Sequence, residues 1–424
     1  MPDRHIPVRP NLRQLRRQAK DLLRQIKRGD PAALAELGRH RPDLKSPADV
    51  QLADTQFALA RSYGLASWPR LVQACEMTDA ICRNKVDAVR ELVRAHPELL
   101  HEDARGVKGN WGPPMSYAAN LGRDRIITML RELGAADLQF AFGRACLQGE
   151  IRTAKLLHSM GARPESGCVM GPCETLNPDG LSLLLELGAG LADDRGDRLA
   201  PLGLILQTYS RNPAGKHACL ELVARHGIDF PDTPAMAVHR GRLDLLERHL
   251  ARDPQLLART FTHEEIYPPA LGCDADHSLA LHGTPLAGAT LLHLCVDNDE
   301  MEMARWMLAR GASPDVVAAV DPDGFGGHTP LFSCVVTQPV RLRHSDEFAR
   351  LLLDHGASPN ARASLRKRLR YVSDESIHEY RDVTPLDWGE QFHDQDFVSR
   401  PAMALIAERG GVNSSAATAP SRRR

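Results

Sequence analysis

A short unit of apolar and polar positions recurs along most of the chain. Each copy has a brief Leu- and Ala-rich stretch, a Gly, a longer stretch with apolar residues three and four positions apart, and a closing Gly-Ala. Apolar residues at that spacing form one stripe on an α-helix, so each copy predicts two helices joined by a turn. The clearest copy is GATLLHLCVDNDEMEMARWMLARGA, residues 288–312. About nine copies, several of them degenerate, cover roughly residues 77–411.

Residues with specific backbone preferences mark the ends of these helices. Thr329-Pro330 and Thr384-Pro385 each place a capping hydroxyl before a proline, which loses no hydrogen bond at the first helical position. The second helix is followed by a glycine, whose left-handed backbone closes the carbonyl end. These glycines are Gly134, Gly161, Gly311 and Gly356. One helix pair cannot bury its apolar stripe alone, so the pairs are expected to stack into a solenoid.

The repeated unit resembles the ankyrin repeat, which has a Thr-Pro-Leu-His start and a Leu-Leu-Leu and Gly-Ala finish. The segments that carry the resemblance include GHTPLFSC from Gly327, LLLDHGASPN from Leu351 and VTPLDWGEQ from Val383. The resemblance implies an all-α ankyrin-repeat solenoid that acts as a protein-binding scaffold through its hairpin tips and concave face. A protein partner is therefore the expected ligand.

Three histidines have structural explanations within this pattern. The resemblance assigns His293 to the His of the repeat start. His226 and His355 come just before the terminal Gly of their helices, where an imidazole can bond free carbonyl groups. We expect all three to stabilise the fold.

Residues 1–76 do not carry the repeat and predict a separate helical cap. Asn11, Asp30-Pro31, Ser46-Pro47 and Ser67 each precede an apolar stripe, which indicates four helices, the third of them reaching Tyr63. This layout resembles a helical region found in front of ankyrin repeats in bacterial proteins. We expect residues 1–76 to cap the first repeat, residues 77–411 to form the repeats, and residues 412–424 to be a disordered tail.

Charge is balanced over the whole chain but not over its parts. The 53 Lys and Arg against 54 Asp and Glu argue against binding a polyanion through bulk charge. Residues 1–75 hold 14 basic and 7 acidic side chains, which leaves a nucleic-acid adaptor as an alternative. No aromatic residue is interleaved among these cations, so a solvated helix face is the favoured interpretation. The cations are Arg13, Arg16, Arg17, Lys20, Arg24, Lys27 and Arg28.

Other classes of protein are disfavoured by composition. The nine cysteines include no CxxC pair, which argues against a disulfide framework or a Cys-based zinc site. No cofactor is expected. No apolar run approaches the 18 residues that span a bilayer, and the first residues lack a secretory apolar region. These features predict a cytoplasmic protein without a membrane segment.

The repeat pattern is interrupted by three long segments in the C-terminal half. They are residues 252–288, 313–328 and 357–383, and each follows a second helix and precedes a first helix. They should therefore leave from the hairpin edge of successive repeats and meet above one surface. Of the 18 histidines, 13 lie between His217 and His393, and several fall in these segments. We expect the three segments to form a single site that contains the functional residues.

Two sets of candidate residues lie in these segments. Partner or polar-ligand binding is assigned to Tyr267, Asp276, His282, Asp323, Phe325, His378, Tyr380 and Arg381. If the protein is an enzyme, hydrolytic or metal-dependent, the candidates are His263, Glu264, Asp274, His277 and His328. Their spacing matches no defined ligand motif, and no nucleophile elbow is present. A third alternative is that the segments only brace each other.

Overall fold

The chain forms two compact units of helices. The structure, a computed structural model, describes residues 4, 6–43, 46–106, 111–276, 283–339, 346–370, 372 and 374–413. The first unit comprises residues 1–165 and 186–188, and the second comprises residues 166–185 and 189–424. The predicted disordered tail lies outside the described residues from residue 414 onward.

Helices account for most of the secondary structure in both units. The helices up to residue 165 are α1 (Leu12–Lys27), α2 (Pro31–His40), α3 (Leu52–Ser62), α4 (Trp68–Cys82), α5 (Val86–Ala95), α6 (Pro114–Ala119), α7 (Asp124–Glu132), α8 (Leu138–Gln148) and α9 (Ile151–Ser159). The next are α10 (Met170–Thr175), α11 (Pro178–Glu186), α12 (Ala200–Gln207), α13 (Pro213–Arg225), α14 (Pro234–His239), α15 (Leu243–Arg252) and α16 (His263–Ile266). The last are α17 (Leu291–Asn298), α18 (Met301–Ala309), α19 (Pro330–Val335), α20 (Glu347–Asp354), α21 (Pro385–Gln391) and α22 (Arg400–Glu408).

Three of the four described strands belong to the segments that interrupt the repeats, and β2 directly follows the first of these segments. They are β1 (Thr260–Phe261), β2 (Ala289–Thr290), β3 (Ala363–Lys367) and β4 (His378–Val383). β1 pairs with β2 and β3 pairs with β4, both antiparallel. The third inserted segment is therefore a β-hairpin.

The predicted repeat is confirmed in the described residues, where nine helix pairs follow one another from α4 to α22, with α16 as an extra turn. In the first unit α4 packs on α6 and α6 on α8, while in the second α14, α17, α19 and α21 pack successively on one another. Within each unit these first helices contact first helices, which is how neighbouring pairs cover one another's apolar stripes. The fold is all-α, as the sequence predicts.

The predicted carbonyl ends of the helices are confirmed, and Thr384 caps α21 as predicted, but the Thr329 hydroxyl makes no capping hydrogen bond to α19. Gly311 and Gly356 follow their helices with φ of 91° and 90°, in the left-handed region that closes a carbonyl end. The Nδ1–H of His226 donates to the Leu222 carbonyl oxygen at 2.8 Å, and that of His355 donates to Leu351 at 2.8 Å. These two histidines stabilise the last turns of their helices.

The N-terminal helices match the prediction except for the third. Asn11, Asp30 and Ser67 cap α1, α2 and α4 with their side-chain oxygens. The third helix does not begin at Pro47, because Val50 is extended and buried and ends a short 3-10 turn. α3 begins instead at Leu52.

The cap and the first repeat are joined by one helix. α4 runs without a break through residue 76, packs on α3 on the cap side, and packs on α5 and α6 on the repeat side. The division of the chain at residue 76 stays a prediction. So does the nucleic-acid alternative, although all seven basic side chains of α1 and its C-terminal end are exposed. Within the described part of the chain, no helix is both long and apolar enough to cross a membrane.

A single substitution tests the assignment of the buried face of a repeat. Leu308 is buried in α18, so Leu308→Asp places an unpaired carboxylate between helices and should lower the free energy of unfolding by about 3 kcal/mol or more. Urea unfolding followed by circular dichroism measures the change. Arg305→Asp, at an exposed position of the same helix, is the matched control and should change it by less than about 0.5 kcal/mol. Equal stability of the two variants would contradict the assignment.

Candidate functional site

The three inserted segments lie side by side in the second unit and are joined by backbone hydrogen bonds. The N–H of Ala319 in the second segment donates to the carbonyl oxygen of Gly288 in the first, at 2.7 Å. The N–H of Gly326 donates to the carbonyl oxygen of Ser364 in the third segment, also at 2.7 Å. The segments therefore form one connected layer at the hairpin edge of successive repeats.

Gly326 permits the closest approach within this layer. Its φ is 123°, and a Cβ atom at this position would lie 2.0 Å from the carbonyl oxygen of Ala319. No side chain fits there, so the second segment can fold back on itself and reach Ser364 only with glycine at this position.

All three segments line one cavity of about 600 Å³, which we call the hairpin cavity. Its lining residues are Thr260, Phe261, Thr262, His263, Glu264, Pro285, Ala287, Gly288, Ala319, Val320, Asp321, Pro322, Phe325, Gly326, His328, Leu365 and Arg366. Of the candidate residues, it brings together His263, Glu264, Phe325 and His328.

A second cavity of about 810 Å³, the upstream cavity, lies next to the first. It is formed mainly by residues 229–235, the end of α15 and residues 253–271. Phe261 and Glu264 line both cavities. The first inserted segment is thus the wall that the two cavities share.

The short helix α16 sets the position of Glu264 in this wall. The Thr262 hydroxyl accepts from the N–H of Glu265 at 3.2 Å, and the Glu265 carboxylate accepts from the N–H of Thr262 at 2.8 Å. The Nε2–H of His263 donates to the carbonyl oxygen of Asp274 at 2.8 Å. Glu264 is exposed, lines the cavity, and makes no side-chain hydrogen bond or ion pair with any described residue.

Phe325, Asp323 and Arg381 belong to a second cluster at the edge of the hairpin cavity. The guanidinium groups of Arg366 and Arg381 lie 4.8 Å and 4.3 Å from the centre of the Phe325 ring. Arg366 also pairs with Asp321 at 2.8 Å and with Asp323 at 2.9 Å. The cations of this cluster therefore already have aromatic and acidic partners.

Two further histidines are buried structural groups: His293, between the first and second segments, and His328, the last residue of the second segment. His328 donates from Nε2–H to the Pro285 carbonyl oxygen at 3.0 Å, and His293 donates from Nε2–H to the His328 carbonyl oxygen at 3.0 Å. The Nδ1 of His293 accepts from the Thr290 hydroxyl at 2.9 Å. Burial lowers the pKa of His293 to about 3, with His328 contributing, and lowers the pKa of His328 to about 4. Both rings are neutral at pH 7, which makes His328 a poor general acid.

The expectation that Tyr267 and Tyr380 anchor a partner is wrong, because both are in the core. Tyr267 is 1% exposed and Tyr380 is 6% exposed, whereas Phe325, although only 5% exposed, lines the hairpin cavity. The Tyr380 hydroxyl donates to Nδ1 of His393 at 2.7 Å, and burial raises the pKa of Tyr380 to about 12. His378 stacks on the same His393 ring, with centroids 4.0 Å apart, and its Nε2 contacts Asp374 at 2.9 Å. Tyr380 and His378 hold the β3–β4 hairpin against α21 and His393, and neither tyrosine lines either cavity.

The remaining candidates that the structure describes belong to no group of side chains that could hold a metal ion. The Asp274 carboxylate accepts from the N–H of Asp276 at 3.0 Å, so it closes its own turn and leaves only its carbonyl oxygen to His263. His277 and His282 lie outside the described residues. Among the residues that are described, no group of three or more His, Cys, Asp or Glu side chains could hold a metal ion.

A buried polar network is hydrogen-bonded to the end of α16. The sequence analysis did not identify this network. Lys216 donates from Nζ to His239 Nδ1 and to Asn298 Oδ1, each at 2.8 Å. The Nε2–H of His239 then donates to the carbonyl oxygen of Ile266, the last residue of α16, at 2.9 Å. The network therefore links α13, α14 and α17 to the wall of the two cavities.

Further buried charges accompany Lys216. The side chains of Arg211 and Asp297 are 4% and 2% exposed and pair at 2.9 Å. Burial lowers the pKa of Lys216 to about 8 and that of Lys367 to about 8. Lys216 lies on the buried stripe of α13, and Lys367 lies on the buried side of the alternating strand β3. A lysine at an apolar position of the helical pattern of α13, and another at an apolar position of the alternating pattern of β3, were the sequence signals for these buried charges.

Removing Lys216 should destabilise the second unit. Lys216→Met leaves His239 Nδ1 and Asn298 Oδ1 without their donor, and we expect the free energy of unfolding to fall by about 2–4 kcal/mol. Chemical denaturation measures the change. Lys155→Met, at an exposed position of α9, is the matched control and should change it by less than about 0.5 kcal/mol. A Lys216→Met protein as stable as the parent would show that the network contributes no net stability.

The buried histidines predict that stability falls on mild acidification. The unfolded chain protonates His293 and His328 near pH 6.5, whereas the folded chain does so near pH 3 and pH 4. The unfolded state therefore binds more protons in this window, and stability decreases as pH falls from about 7 towards 4. We expect a loss of roughly 1–2 kcal/mol per histidine between pH 6.5 and 5, measured from urea midpoints. The loss should shrink in a His293→Gln/His328→Gln protein but not in one with exposed His226→Gln.

Comparison with known proteins identifies the repeats. The ankyrin repeat family model matches residues 287–319 and 326–364, which contain the pairs α17/α18 and α19/α20. The crystal structure of the human ASB11 ankyrin repeat domain matches with 16% sequence identity over 71% of this chain and 99% of that chain, with a TM-score of 0.24. No curated protein matches the chain. The chain is therefore an all-α protein in which two of the nine described helix pairs match the ankyrin repeat family model.

Proposed function

We propose that this chain binds a protein partner through the hairpin cavity and the upstream cavity of its second unit. The observation that carries this proposal is the hairpin cavity itself, which is lined by segments inserted into successive repeats. Insertions into a repeat array fall on one face, and loops supported by a rigid scaffold commonly carry binding.

The lining of the hairpin cavity suits a protein segment. Phe261 and Leu365 provide buried apolar surface, while Val320 at the rim is 61% exposed. An exposed apolar rim next to a buried aromatic wall is the arrangement in which anchoring side chains of a partner lose contact with water. Polar groups such as Glu264 and Asp321 then determine which partner fits.

The site is also held in place before any partner binds. Backbone hydrogen bonds join the three segments, and the network from Lys216 fixes the end of α16. A binding surface that is already ordered loses less conformational entropy on association. This favours recognition of a partner by a preformed surface.

The alternatives receive less support from the same residues. In the enzyme alternative, His328 is neutral and bonded to a backbone carbonyl, and His263 is bonded to another. Glu264 lines the cavity but makes no hydrogen bond or ion pair with a described acid or base. Neither a reaction nor a nucleic-acid surface is therefore proposed.

Blocking the hairpin cavity tests the proposal. Ala319 is exposed and lines the cavity, so Ala319→Trp should fill it without entering the core. We expect peptides selected from a displayed random library on the parent protein to bind this variant at least about tenfold more weakly, because their anchor site is occupied. Fluorescence polarisation measures the affinities.

Val317→Trp is the matched control. Val317 is 53% exposed, lies two positions away, and does not line the cavity. Affinity should be unchanged in this variant, and both proteins should melt like the parent. Failure to select any peptide, or equal weakening by both substitutions, would contradict binding at the hairpin cavity.

A further inference from the structure

The two cavities carry an excess of negative charge. Among the residues that the structure describes, six carboxylates and three guanidinium groups line them. The carboxylates are Asp229, Asp232, Asp253, Glu264, Glu265 and Asp321, and the guanidinium groups are those of Arg252, Arg259 and Arg366. With histidines neutral, the lining has an excess of three negative charges.

The three cations are already engaged by neighbouring acids. Arg259 pairs with Glu265, and its guanidinium lies 4.7 Å from the centre of the Phe261 ring. Arg366 pairs with Asp321 and also reaches Asp323, at 2.9 Å. The remaining cation, on Arg252, lies 3.6 Å from a carboxylate of the upstream cavity. None of them is directed at Glu264.

Glu264 is therefore the carboxylate that a partner can neutralise. Glu264 and Asp229 make no ion pair or hydrogen bond with any residue that the structure describes. Of the two, only Glu264 lines both cavities. An uncompensated charge at the boundary of two apolar recesses favours a ligand with the opposite charge at its centre.

The turn that carries Glu264 is rigid. His263 and Ile266, on either side of it, are buried and hydrogen-bonded through Asp274 and His239. The carboxylate is therefore presented from a fixed backbone, and only the side-chain torsions of Glu264 have to be ordered on binding.

We propose that the partner presents a basic segment: one Lys or Arg that pairs with Glu264, with apolar residues on both sides that enter the hairpin and upstream cavities. This inference rests on the proposed function and adds the chemical class of the partner. The charge of the lining selects against acidic segments, which would meet three uncompensated negative charges.

A double-mutant cycle on the full chain tests this pairing. The probe is the most strongly enriched peptide from a displayed random 12-residue library, titrated by fluorescence polarisation. Glu264→Gln in the protein and Lys→Gln or Arg→Gln in the peptide should each weaken binding roughly fivefold, which is appropriate for an exposed ion pair. The two changes together should weaken it by little more than either alone, because both remove the same interaction.

Two controls separate this pair from general electrostatics. Glu302→Gln removes an exposed carboxylate from α18 that lines neither cavity, and it should leave the affinity unchanged. Raising the salt concentration should weaken the parent pair and have less effect on the Glu264→Gln protein.

The outcomes distinguish this inference from the proposed function. Two results would overturn the basic segment while leaving partner binding intact. In the first, the selected peptides bind the Ala319→Trp protein more weakly but are neutral or acidic. In the second, they contain Lys or Arg but bind the Glu264→Gln protein as tightly as the parent. Absence of any peptide sensitive to Ala319→Trp overturns both. Enrichment of Lys or Arg, with strong coupling to Glu264, supports both.

Discussion

The burial of an apolar stripe between neighbouring helix pairs is the constraint on which the rest of this structure depends. A pair such as α17/α18 is too short to enclose a core, so α17 must contact first helices on both sides, α14 and α19. This requirement keeps the first helices in register. It also places the connections between pairs at one edge, where they can lengthen without disturbing the stack.

Backbone hydrogen bonds convert these long connections into a site. Ordering the separate segments costs conformational entropy, and few apolar contacts are available to offset that cost. The bonds from Ala319 to Gly288 and from Gly326 to Ser364 join them edge to edge. The resulting layer is a surface with its own cavities, supported by the repeats beneath it.

Buried polar groups also hold the inserted segments in place, but their burial costs more desolvation free energy. Lys216 and Lys367 are enclosed by protein, which disfavours their charge, but Lys216 retains hydrogen bonds to His239 and Asn298. These hydrogen bonds fix the position of a loop, since the last of them reaches Ile266 and orients the turn that carries Glu264. Replacement of such groups by apolar ones would keep the stack but would no longer fix that turn.

The repeats, their helix ends and the location of the insertions were determined by the sequence itself, because they depend on local rules. Apolar periodicity, Thr-Pro starts and terminal glycines act over a few residues, and His226 and His355 bond carbonyls one turn away. Tertiary structure alone decided which inserted residues meet. Tyr267 and Tyr380 became core residues, and Lys216 entered the interior, because burial depends on neighbours that are distant in sequence. The cavities, and the exposure of Glu264 between them, follow from contacts between segments distant in sequence, which no local pattern encodes.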